Sequence, residues 1–499
     1  MRKFGVRWDK DRNDLILHSI KDEIARPIAY IINLSMCQGI FPDKLKTTVI
    51  KPLFKKGSKL DVSNYRPIAL LSPFSKVSEK VYLKRVLSFL SKNTVISENK
   101  FGYRKGSSCI DATIRLNDMI AQCKSEKSIA LTIFLDLSKA FDCVSHATLL
   151  SIIERYGIRG VALDLLKSYL SNRTQAVSVP SRDLSGTQLS DFKQVRDGVP
   201  QGSVYGPYLF ILYINCLHLL LKNFECDCIL YVDDTNLIII GKSMACIREK
   251  ALQVLQAVYD FFSALHLALN LEKTNYIIFN HAQIDLDLHI NNVKIQPSSS
   301  SKFLGMIVDH KLSWKQHIKG LLKKILKGIF VLKQTAVSLG KKHNLMVFNA
   351  FIQSHLSYGI LLWCGSSRNK LLIESVFRKQ KRALRLLNGV KDQKTSCRGM
   401  FKKDNLMTLA GLFIYSASIH ARKHLSTLTC SSVHSHNTRN SENLFVKKFV
   451  KGDVSLKCVQ VFNKLPTYVK QAPSMSSFKI KLKHYIIERE PYDIQEFVE

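Results

Sequence analysis

The sequence contains no Cys-x-x-Cys pair, and its first residues do not show the basic region followed by an apolar region that is typical of a secretory signal peptide. Its 12 cysteines are scattered along 499 residues, and several lie inside apolar runs, as free buried thiols do. Cys430, His434 and His436 are candidates for a zinc set, but their spacing matches no zinc knuckle. These absences argue against a disulfide-stabilised secreted protein and predict an intracellular one, in the nucleus, the cytoplasm or both.

Acidic residues are scarce relative to basic ones. The chain has 74 Lys and Arg against 39 Asp and Glu, which gives a formal net charge of +35 and a pI near 9.7. Solvated surface lysines rarely reach this excess, so the composition predicts a polyanionic partner, with nucleic acid preferred over an anionic membrane. The uncharged segment 346–365 carries Asn349, Gln353, Ser354 and His355, so we expect a buried helix there and no membrane span.

Length and composition predict a globular protein of roughly two to four domains. Hydrophobic residues make up 46% and charged residues 23% of the chain, which argues against a disordered or collagen-like class. Strand-like and helix-like segments interleave up to about residue 310, which favours the α+β class. Residues 310–403 are patterned as helices and contain 21 Lys and Arg against two acids, as expected of a surface that contacts phosphates.

Two adjacent carboxylates interrupt a strongly apolar stretch. Asp233 and Asp234 lie between the apolar runs 228–232 and 237–240, which together predict a β-hairpin with the acids at its turn. Like charges held side by side raise each other's pKa unless a cation offsets them. From this stretch alone, a solvated turn and a metal site both fit the sequence.

A third acid follows another apolar run. Residues 129–137 are almost wholly apolar, as in a strand buried on both faces, and Asp136 is the one charge near the end of that run. If this strand neighbours the hairpin in one sheet, the three acids converge into a cluster that divalent cations would stabilise. Oxygen ligands alone favour Mg²⁺ or Mn²⁺, and two such ions suit in-line phosphoryl transfer.

Five short motifs occur in order along the chain. They are Phe101-Gly-Tyr-Arg-Lys-Gly106, Phe134-Leu-Asp-Leu-Ser-Lys-Ala-Phe-Asp142, Gly198-Val-Pro-Gln-Gly-Ser203, Tyr231-Val-Asp-Asp234 and Leu271-Glu-Lys-Thr274. Their order and spacing resemble those of the reverse transcriptases of non-LTR, LINE-like retrotransposons of the Jockey or CR1 type. One such motif is weak evidence, whereas five in order at suitable spacing are strong evidence. The likeness extends from about residue 48 to 310, and the helical region that follows is similar to the thumb of that family.

The resemblance implies an RNA-directed DNA polymerase that extends a DNA primer on an RNA template with deoxynucleoside triphosphates and two Mg²⁺ ions, or Mn²⁺ instead. It implies a right-hand polymerase fold, with fingers, a palm built on a ferredoxin-like antiparallel sheet, a helical thumb and a mostly helical C-terminal extension. No membrane partner and no endonuclease activity are expected of this chain. The expected domains are an N-terminal helical extension over 1–47, fingers and palm over 48–310, a basic helical thumb over 311–403 and an extension of unassigned role over 404–499.

The resemblance also implies roles for individual residues. Asp136, Asp233 and Asp234 match the catalytic triad, in which the first two acids bridge the metal ions and the third completes the cluster. The matched primer-binding and template-binding positions are Phe303, Leu304 and Gly305, for which an ordinary strand is the alternative.

Five more residues match nucleotide-binding positions. Phe141 would exclude a ribose 2′-OH, and Gln201 would contact the incoming nucleotide. Lys273 would lie near the pyrophosphate leaving group, and Arg66 and Arg104 could grip the triphosphate. Structural roles stay open for four of them, because Phe141 could be a core residue, either arginine could form a surface ion pair and Lys273 could simply face solvent.

Two other functions stay open. A catalytically inactive, domesticated copy would only bind nucleic acid, and the intact acids argue against it. Tyr205 replaces a usual aliphatic residue near the expected template and nucleotide path, a change that a decayed copy would also carry. An RNA-dependent RNA polymerase has a similar palm, and Phe141 argues against that function.

Overall fold

The chain divides into two compact units. Unit 1 is drawn from residues 1–105, 136–235 and 254–270, and unit 2 from residues 106–135, 236–253 and 271–499. Of the residues that the structure describes, 53% are helical and 16% lie in strands, which confirms the expected mixed α+β class. The computed structural model describes residues 19–97, 99–104, 106–181, 186–281, 285–365, 369–424 and 454–498.

Helices and strands alternate along both units. The helices are α1 (Lys21–Gln38), α2 (Pro73–Lys92), α3 (Cys109–Ser125), α4 (His146–Arg155), α5 (Val161–Leu170), α6 (Gly206–Tyr213), α7 (Leu217–Lys222), α8 (Met244–Ala264), α9 (Lys315–Ser338), α10 (Lys341–Phe348), α11 (Ser354–Ser357), α12 (Ile360–Trp363), α13 (Lys370–Leu387), α14 (Met400–Lys403), α15 (Leu409–Lys423), α16 (Val454–Asn463), α17 (Thr467–Lys470), α18 (Met475–Arg489) and α19 (Gln495–Val498). The strands are β1 (Thr47–Phe54), β2 (Tyr65–Leu70), β3 (Ile129–Leu135), β4 (Leu137–Ser138), β5 (Thr174–Pro180), β6 (Thr187–Leu189), β7 (Lys193–Gln194), β8 (Asp227–Tyr231), β9 (Asp234–Gly241), β10 (Ala268–Leu269), β11 (Asn275–Phe279), β12 (His289–Ile290), β13 (Val293–Lys294), β14 (Gln296–Pro297), β15 (Ser300–Phe303) and β16 (Met306–Asp309).

Local sequence determines where the first helices begin and end. α2 follows Ser72, whose hydroxyl accepts a hydrogen bond from the Phe74 N–H, and Pro73 occupies its first turn. α1 ends at Gly39, whose φ of 69° is the left-handed conformation that commonly terminates helices. These boundaries decide which side chains of each helix reach the core.

Unit 1 contains a sheet with the strand order β2-β1-β5-β6, in which β7 also pairs with β5. β1 and β2 are antiparallel, with Leu53 opposite Arg66, whereas β1 and β5 are parallel. A second, two-stranded pair joins β4 to β10. This short pair matters for function because β4 begins one residue after Asp136.

The sheet of unit 2 has the order β14-β11-β3-β9, with β11 antiparallel to β3. All seven residues of β3 are buried, which confirms the prediction of a buried strand at this apolar run. Two residues separate β8 from β9, and the two strands are neighbours, so the predicted hairpin is also confirmed.

Helices make up most of the rest of unit 2. α9 packs against α13, and the buried residues of α9 recur every three or four positions. Its exposed side therefore carries basic residues, as an amphipathic helix on a charged protein would. The buried apolar residues of α9 are Ile318, Leu321, Ile325, Ile329 and Leu332, and exposed lysines include Lys319, Lys323, Lys324, Lys327 and Lys333.

The uncharged segment 346–365 is helical and includes a π-helical turn, Asn349–Gln353. Ile352, Leu356 and Trp363 are buried, but Met346 and Phe351 are exposed and the chain leaves the helical conformation between Ser357 and Ile360. The prediction of a buried helix is therefore confirmed only in part. Across the described residues, no helix combines the length and the apolar character that a membrane span requires. The eleven cysteines among these residues are free thiols, and the zinc candidates near residue 430 lie outside them.

Candidate active site

The turn between β8 and β9 holds two of the three predicted catalytic acids. Val232 and Asp233 connect the strands, and Asp234 begins β9. Val232 has a φ of 59°, a left-handed conformation that is strained for a β-branched residue. Backbone strain of this kind concentrates at functional sites, where the surrounding structure maintains it.

A glycine of the first motif lies against this turn. The Phe101 N–H donates a hydrogen bond to the Leu230 carbonyl at 2.9 Å, so residues near 101 run beside β8. A Cβ atom on Gly102 would lie 2.8 Å from the Val232 nitrogen. Any residue larger than glycine at this position would therefore displace the turn that carries the acids.

Asp136 comes directly after β3. Its carbonyl accepts a hydrogen bond from the Asn270 N–H at 2.8 Å, and the next residue, Leu137, pairs with Leu269 across β4 and β10. These bonds hold the backbone on the C-terminal side of Asp136, while the buried strand β3 holds it on the other. The backbone at Asp136 is thus held on both sides.

Asp136, Asp233 and Asp234 form what we call the acidic cluster. The side chains of Asp233 and Asp234 reach solvent, yet the surrounding protein desolvates them and raises the pKa of each. Repulsion by Asp136 adds to the rise at both acids. Asp233 also repels Asp234, whose pKa is raised to about 6. The three acids therefore lie close enough to interact electrostatically.

Two basic side chains act on the acidic cluster. The charges of Arg66 and Lys55 oppose the rise in the pKa of Asp233, but burial and Asp136 outweigh them. Both residues are exposed, Arg66 in β2 and Lys55 directly after β1. The sequence predicted Arg66 and missed Lys55, although the basic run that contains Lys55 was an available signal.

Phe141 lies in the turn after β4. Its half-buried ring packs on Phe210 of α6, with centroids 5.0 Å apart and an interplanar angle of 32°. Its carbonyl accepts a hydrogen bond from the Val199 N–H at 2.8 Å. The ring thus has a packed face and an accessible part, as a plate beneath a sugar would need.

Gln201 is held by an acid to which sequence reasoning gave no role. Its side-chain amide donates a hydrogen bond to Asp142 Oδ1 at 2.9 Å. Burial raises the pKa of Asp142, although the Gln201 hydrogen bond and the charge of Lys139 oppose that rise. A Cβ on Gly198, whose φ is 86°, would lie 2.8 Å from the Asp142 carbonyl oxygen, so this close approach requires glycine.

The other two predicted nucleotide-binding residues lie at exposed positions. The Arg104 guanidinium donates a hydrogen bond to the Ser97 carbonyl at 3.4 Å. Lys273, in unit 2, lies in the turn that precedes β11. Their proposed contacts with a nucleotide stay predictions.

The predicted primer-binding residues form the turn of a hairpin in unit 2. Phe303 ends β15 and Met306 begins β16, and between them Leu304 and Gly305 have φ values of 45° and 82°. The single strand expected over this stretch is therefore interrupted by a reversal of the chain. The Tyr358 hydroxyl donates a hydrogen bond to the Leu304 carbonyl and so supports the turn.

Tyr205, which the sequence places near the template and nucleotide path, has a buried side chain. The residue is only 4% exposed, and its ring packs edge-on against Tyr169 with centroids 5.6 Å apart. Its aromatic ring is therefore part of the packing of unit 1, and its nearness to the template path stays a prediction.

The acidic cluster offers oxygen ligands only. That donor set fits Mg²⁺ or Mn²⁺ better than the softer transition metals, which prefer imidazole or thiolate. Its negative charge is only partly offset by Arg66 and Lys55, since the pKa of Asp233 stays raised in their presence. The residues present thus fit hard divalent cations.

A second group with metal-ligand chemistry lies in unit 2. Asp111, His420 and His424 each place one ligand atom within 4.8 Å of the others, and we call them the Asp111 group. The Lys423 ammonium already lies 2.6 Å from an Asp111 oxygen. Burial alone would raise the pKa of Asp111, but hydrogen bonds from His424, Lys423 and Ser108 hold it well below its usual range. A resident cation thus compensates this acid without a metal.

Comparison with known proteins places these features in one family. Residues 54–308, more than half of the chain, match the family described as reverse transcriptase (RNA-dependent DNA polymerase). The RNA-directed DNA polymerase from mobile element jockey of Drosophila melanogaster is 27% identical over 385 residues, which cover 74% of this chain and 40% of the relative. The protein of the same name from Drosophila funebris is 29% identical over 314 residues, covering 60% and 33%.

The chain therefore spans less than half the length of the curated relatives it matches. Among solved structures, telomerase from Candida tropicalis in complex with a fragment of telomeric RNA is 14% identical, with a TM-score of 0.43. That match covers 94% of this chain and 68% of the telomerase chain.

Proposed function

Since this chain belongs to the reverse transcriptase (RNA-dependent DNA polymerase) family, we propose that it extends a DNA primer on an RNA template as part of a non-LTR retrotransposon. The observation that carries the proposal is the acidic cluster. Burial and repulsion raise the pKa of Asp233 and Asp234, and the neighbouring basic residues do not cancel the rise. A cluster of this kind gains stability when it binds divalent cations.

We propose that Asp136, Asp233 and Asp234 hold two Mg²⁺ ions, for which Mn²⁺ can substitute. When bound, these ions activate the primer 3′-oxygen and stabilise the departing pyrophosphate. The acids must be ionised to act as ligands. Because the pKa of Asp234 is raised to about 6, cation affinity should fall as the pH drops below about 6.

Four side chains of unit 1 would position the incoming nucleotide. Arg66, whose charge already acts on Asp233, would attract the triphosphate, with Lys55 beside it. Gln201 is oriented by Asp142 before any nucleotide arrives, which reduces the entropy lost on binding. The accessible part of the Phe141 ring would contact the sugar and exclude a ribose 2′-OH.

The remaining assignments rest on the resemblance alone. Lys273 would donate a proton to the leaving pyrophosphate, and Arg104 would contact the triphosphate. The hairpin turn at Phe303, Leu304 and Gly305 would hold the primer end. Each role is a proposal that substitution of the side chain can test.

The basic helices would hold the RNA:DNA duplex. In the proposed domain arrangement, 48–310 are fingers and palm and 311–403 are the thumb, whose exposed lysines would contact phosphates without reading bases. The flanking segments 1–47 and 404–499 would be an N-terminal and a C-terminal extension. Binding of a primed template should weaken steeply as salt rises.

Extension of a DNA primer on an RNA template tests this function directly. Incorporation of deoxynucleotides should require Mg²⁺ and should fall by about a thousandfold or more in Asp136→Ala, whose affinity for the primed template should stay nearly unchanged. Asp191→Ala, a change at an exposed acid of unit 1, is the matched control. Near-normal extension by Asp136→Ala would remove the acidic cluster as the site. Template binding without any extension by the wild type would leave only a nucleic-acid-binding copy.

Sugar selectivity tests the role of Phe141. Phe141→Val shortens the side chain, so ribonucleotides should be incorporated about tenfold or more efficiently relative to deoxynucleotides. The measurement is the ratio of kcat/KM for a matched ribonucleotide and deoxynucleotide pair. An unchanged ratio would show that Phe141 is only a packing residue on Phe210.

A further inference from the structure

Glu79 is a carboxylate buried completely inside unit 1. It lies in the middle of α2, and its exposed fraction is 0%. Burial raises the pKa of the Glu79 carboxyl, because an ionised group loses its hydration there. An acid at such a position destabilises the fold unless hydrogen-bond donors surround it.

Four donors surround the Glu79 carboxylate. Oε2 accepts hydrogen bonds from the backbone N–H groups of Val204, at 2.6 Å, and Tyr205, at 3.3 Å. Oε1 accepts from the hydroxyls of Ser75 and Tyr169, each at 3.2 Å. Two of the four donors therefore belong to the segment that directly follows the motif containing Gln201.

A buried arginine balances the charge of Glu79. Arg173 is 2% exposed, and its guanidinium lies 4.8 Å from the centre of the Tyr169 ring. Its positive charge lowers the pKa of Glu79, against the effect of burial. Arg173 and the hydrogen-bond donors therefore make ionisation of Glu79 more favourable than burial alone would allow.

The Glu79 carboxylate is the hydrogen-bond acceptor for the second half of the Gly198–Gly206 loop. Upstream, the Gln201 carbonyl accepts a hydrogen bond from the Ala69 N–H at 2.8 Å, and a Cβ on Gly202 would lie 2.6 Å from the Ala69 oxygen. Downstream, α6 begins at Gly206, whose N–H donates a hydrogen bond to the Ser203 hydroxyl at 2.8 Å, which leaves the Val204 and Tyr205 N–H groups to Glu79. Glu79 therefore accepts N–H groups that precede α6, where the helix dipole also favours a negative charge.

We propose that Glu79 is a positioning residue for nucleotide binding, which holds the Gly198–Gly206 loop so that Gln201 is correctly placed before the nucleotide arrives. Glu79 acts through the backbone of Val204 and Tyr205 and need not touch the substrate. This inference rests on the proposed polymerase function. It goes beyond that function by assigning a role to a buried acid outside the acidic cluster.

The kinetic test is the substitution Glu79→Ala. Two backbone N–H groups would lose their acceptor, so the loop should shift and the KM for the deoxynucleotide should rise by about tenfold. We expect kcat to change less than KM, and the Kd for the primed template to stay at the wild-type value. An unchanged nucleotide KM in Glu79→Ala would overturn the proposal.

Glu79→Gln is the conservative variant. Its amide oxygen can accept from Val204 and Tyr205, while its NH₂ group faces the hydroxyls of Ser75 and Tyr169, which can act as acceptors. The nucleotide KM should therefore stay within about threefold of the wild type. A Gln variant as impaired as the Ala variant would show that loop position does not depend on this acceptor.

Leu90→Ala separates positioning from loss of stability. Leu90 lies in the same helix, is 1% exposed, and should destabilise the fold when truncated without removing an acceptor from the loop. Its Tm should fall while its nucleotide KM stays normal. If Leu90→Ala raises KM as much as Glu79→Ala does, the effect is general destabilisation and the proposal is wrong.

Hydrogen exchange tests the positioning role of Glu79 separately from the proposed polymerase function. If the wild type does not extend a primer, the polymerase function fails, and amide exchange over 201–206 still reports on the loop. Faster exchange there in Glu79→Ala, but not in Leu90→Ala, supports the positioning role. Unchanged exchange in Glu79→Ala overturns it, whether or not the wild type is active.

Discussion

The acidic cluster and the Asp111 group place carboxylates in opposite electrostatic surroundings. In the cluster, burial and neighbouring acids raise the pKa of Asp233 and Asp234, and the nearby basic side chains compensate only in part. In the Asp111 group, hydrogen bonds that include one from Lys423 hold the pKa of Asp111 low. The chain leaves the repulsion within the first site only partly compensated, whereas in the second site it compensates the acid itself.

Glu79 shows that a raised pKa alone does not identify a cation site. Burial raises the pKa of Glu79, as it does for Asp233, yet four donors and a buried arginine surround the Glu79 carboxylate. What distinguishes the acidic cluster is repulsion between acids, whereas the charge that acts on Glu79 is the positive charge of Arg173. The relevant signal is therefore the combination of burial, neighbouring acids and incomplete compensation.

The largest expected effect is on catalysis. Asp233→Asn should reduce primer extension by about a thousandfold or more, since it removes a charged ligand from the acidic cluster. Asp111→Asn makes the same chemical change in a group that a lysine already compensates, so kcat for extension should stay near the wild-type value. Single-turnover extension on a primed RNA template measures both variants.

The comparison between the two sites would break if Asp111→Asn abolished extension at full template binding. That outcome would place Asp111 in the catalytic machinery and would make the Asp111 group the better metal candidate. Restoration of Asp233→Asn activity by high Mg²⁺ would instead show that the acid contributes affinity and little else.

Several elements of the fold could be predicted because their signals are local. The apolar run that became β3 is buried throughout, and the two runs around Asp233 and Asp234 became β8 and β9. Alternation and continuity of apolar residues depend only on neighbours in the chain, so sequence reasoning finds them. The reversal at Leu304 and Gly305 was missed, although the glycine was a signal for a turn.

The supporting residues of the site could not be predicted, because their partners are distant in sequence. Glu79 meets Val204, and Gln201 meets Asp142, only after the chain has folded. The burial of Tyr205 was not predicted for the same reason, since its ring packs on Tyr169. Motif reasoning recovers residues that a family shares, whereas contacts between separate segments require the structure.

A smaller effect is expected on stability at the Asp111 group. Asp111→Asn removes the charge that His424, Lys423 and Ser108 stabilise, so the free energy of unfolding should fall by about 1–3 kcal/mol at pH 7. The folded pKa of Asp111 is lowered, so its contribution is present above the unfolded value of about 3.9 and is lost as pH falls further. Urea unfolding from pH 7.5 down to about pH 2.5 measures the cost and its loss.

Asp191→Asn, at an exposed acid, is the control for that measurement. If Asp111→Asn lowers the free energy of unfolding no more than the control does, the Asp111 group adds nothing to stability. Addition of Zn²⁺ gives a further comparison. Because Lys423 already compensates Asp111, Zn²⁺ should change the Tm of the wild type and of Asp111→Asn by the same amount.

The smallest expected effect has the opposite sign and belongs to the acidic cluster. The folded pKa of Asp234 is raised to about 6, so its neutral form favours folding at low pH and this contribution is lost as pH rises through about 6. Without Mg²⁺ at pH 7.5, Asp234→Asn should therefore raise the Tm by about 1–3 °C, and the gain should shrink as the pH falls to 4. Added Mg²⁺ should stabilise the wild type more than the variant and so reverse the order. A variant less stable than the wild type in metal-free buffer at pH 7.5 would show that the three acids do not repel one another strongly enough to require cations.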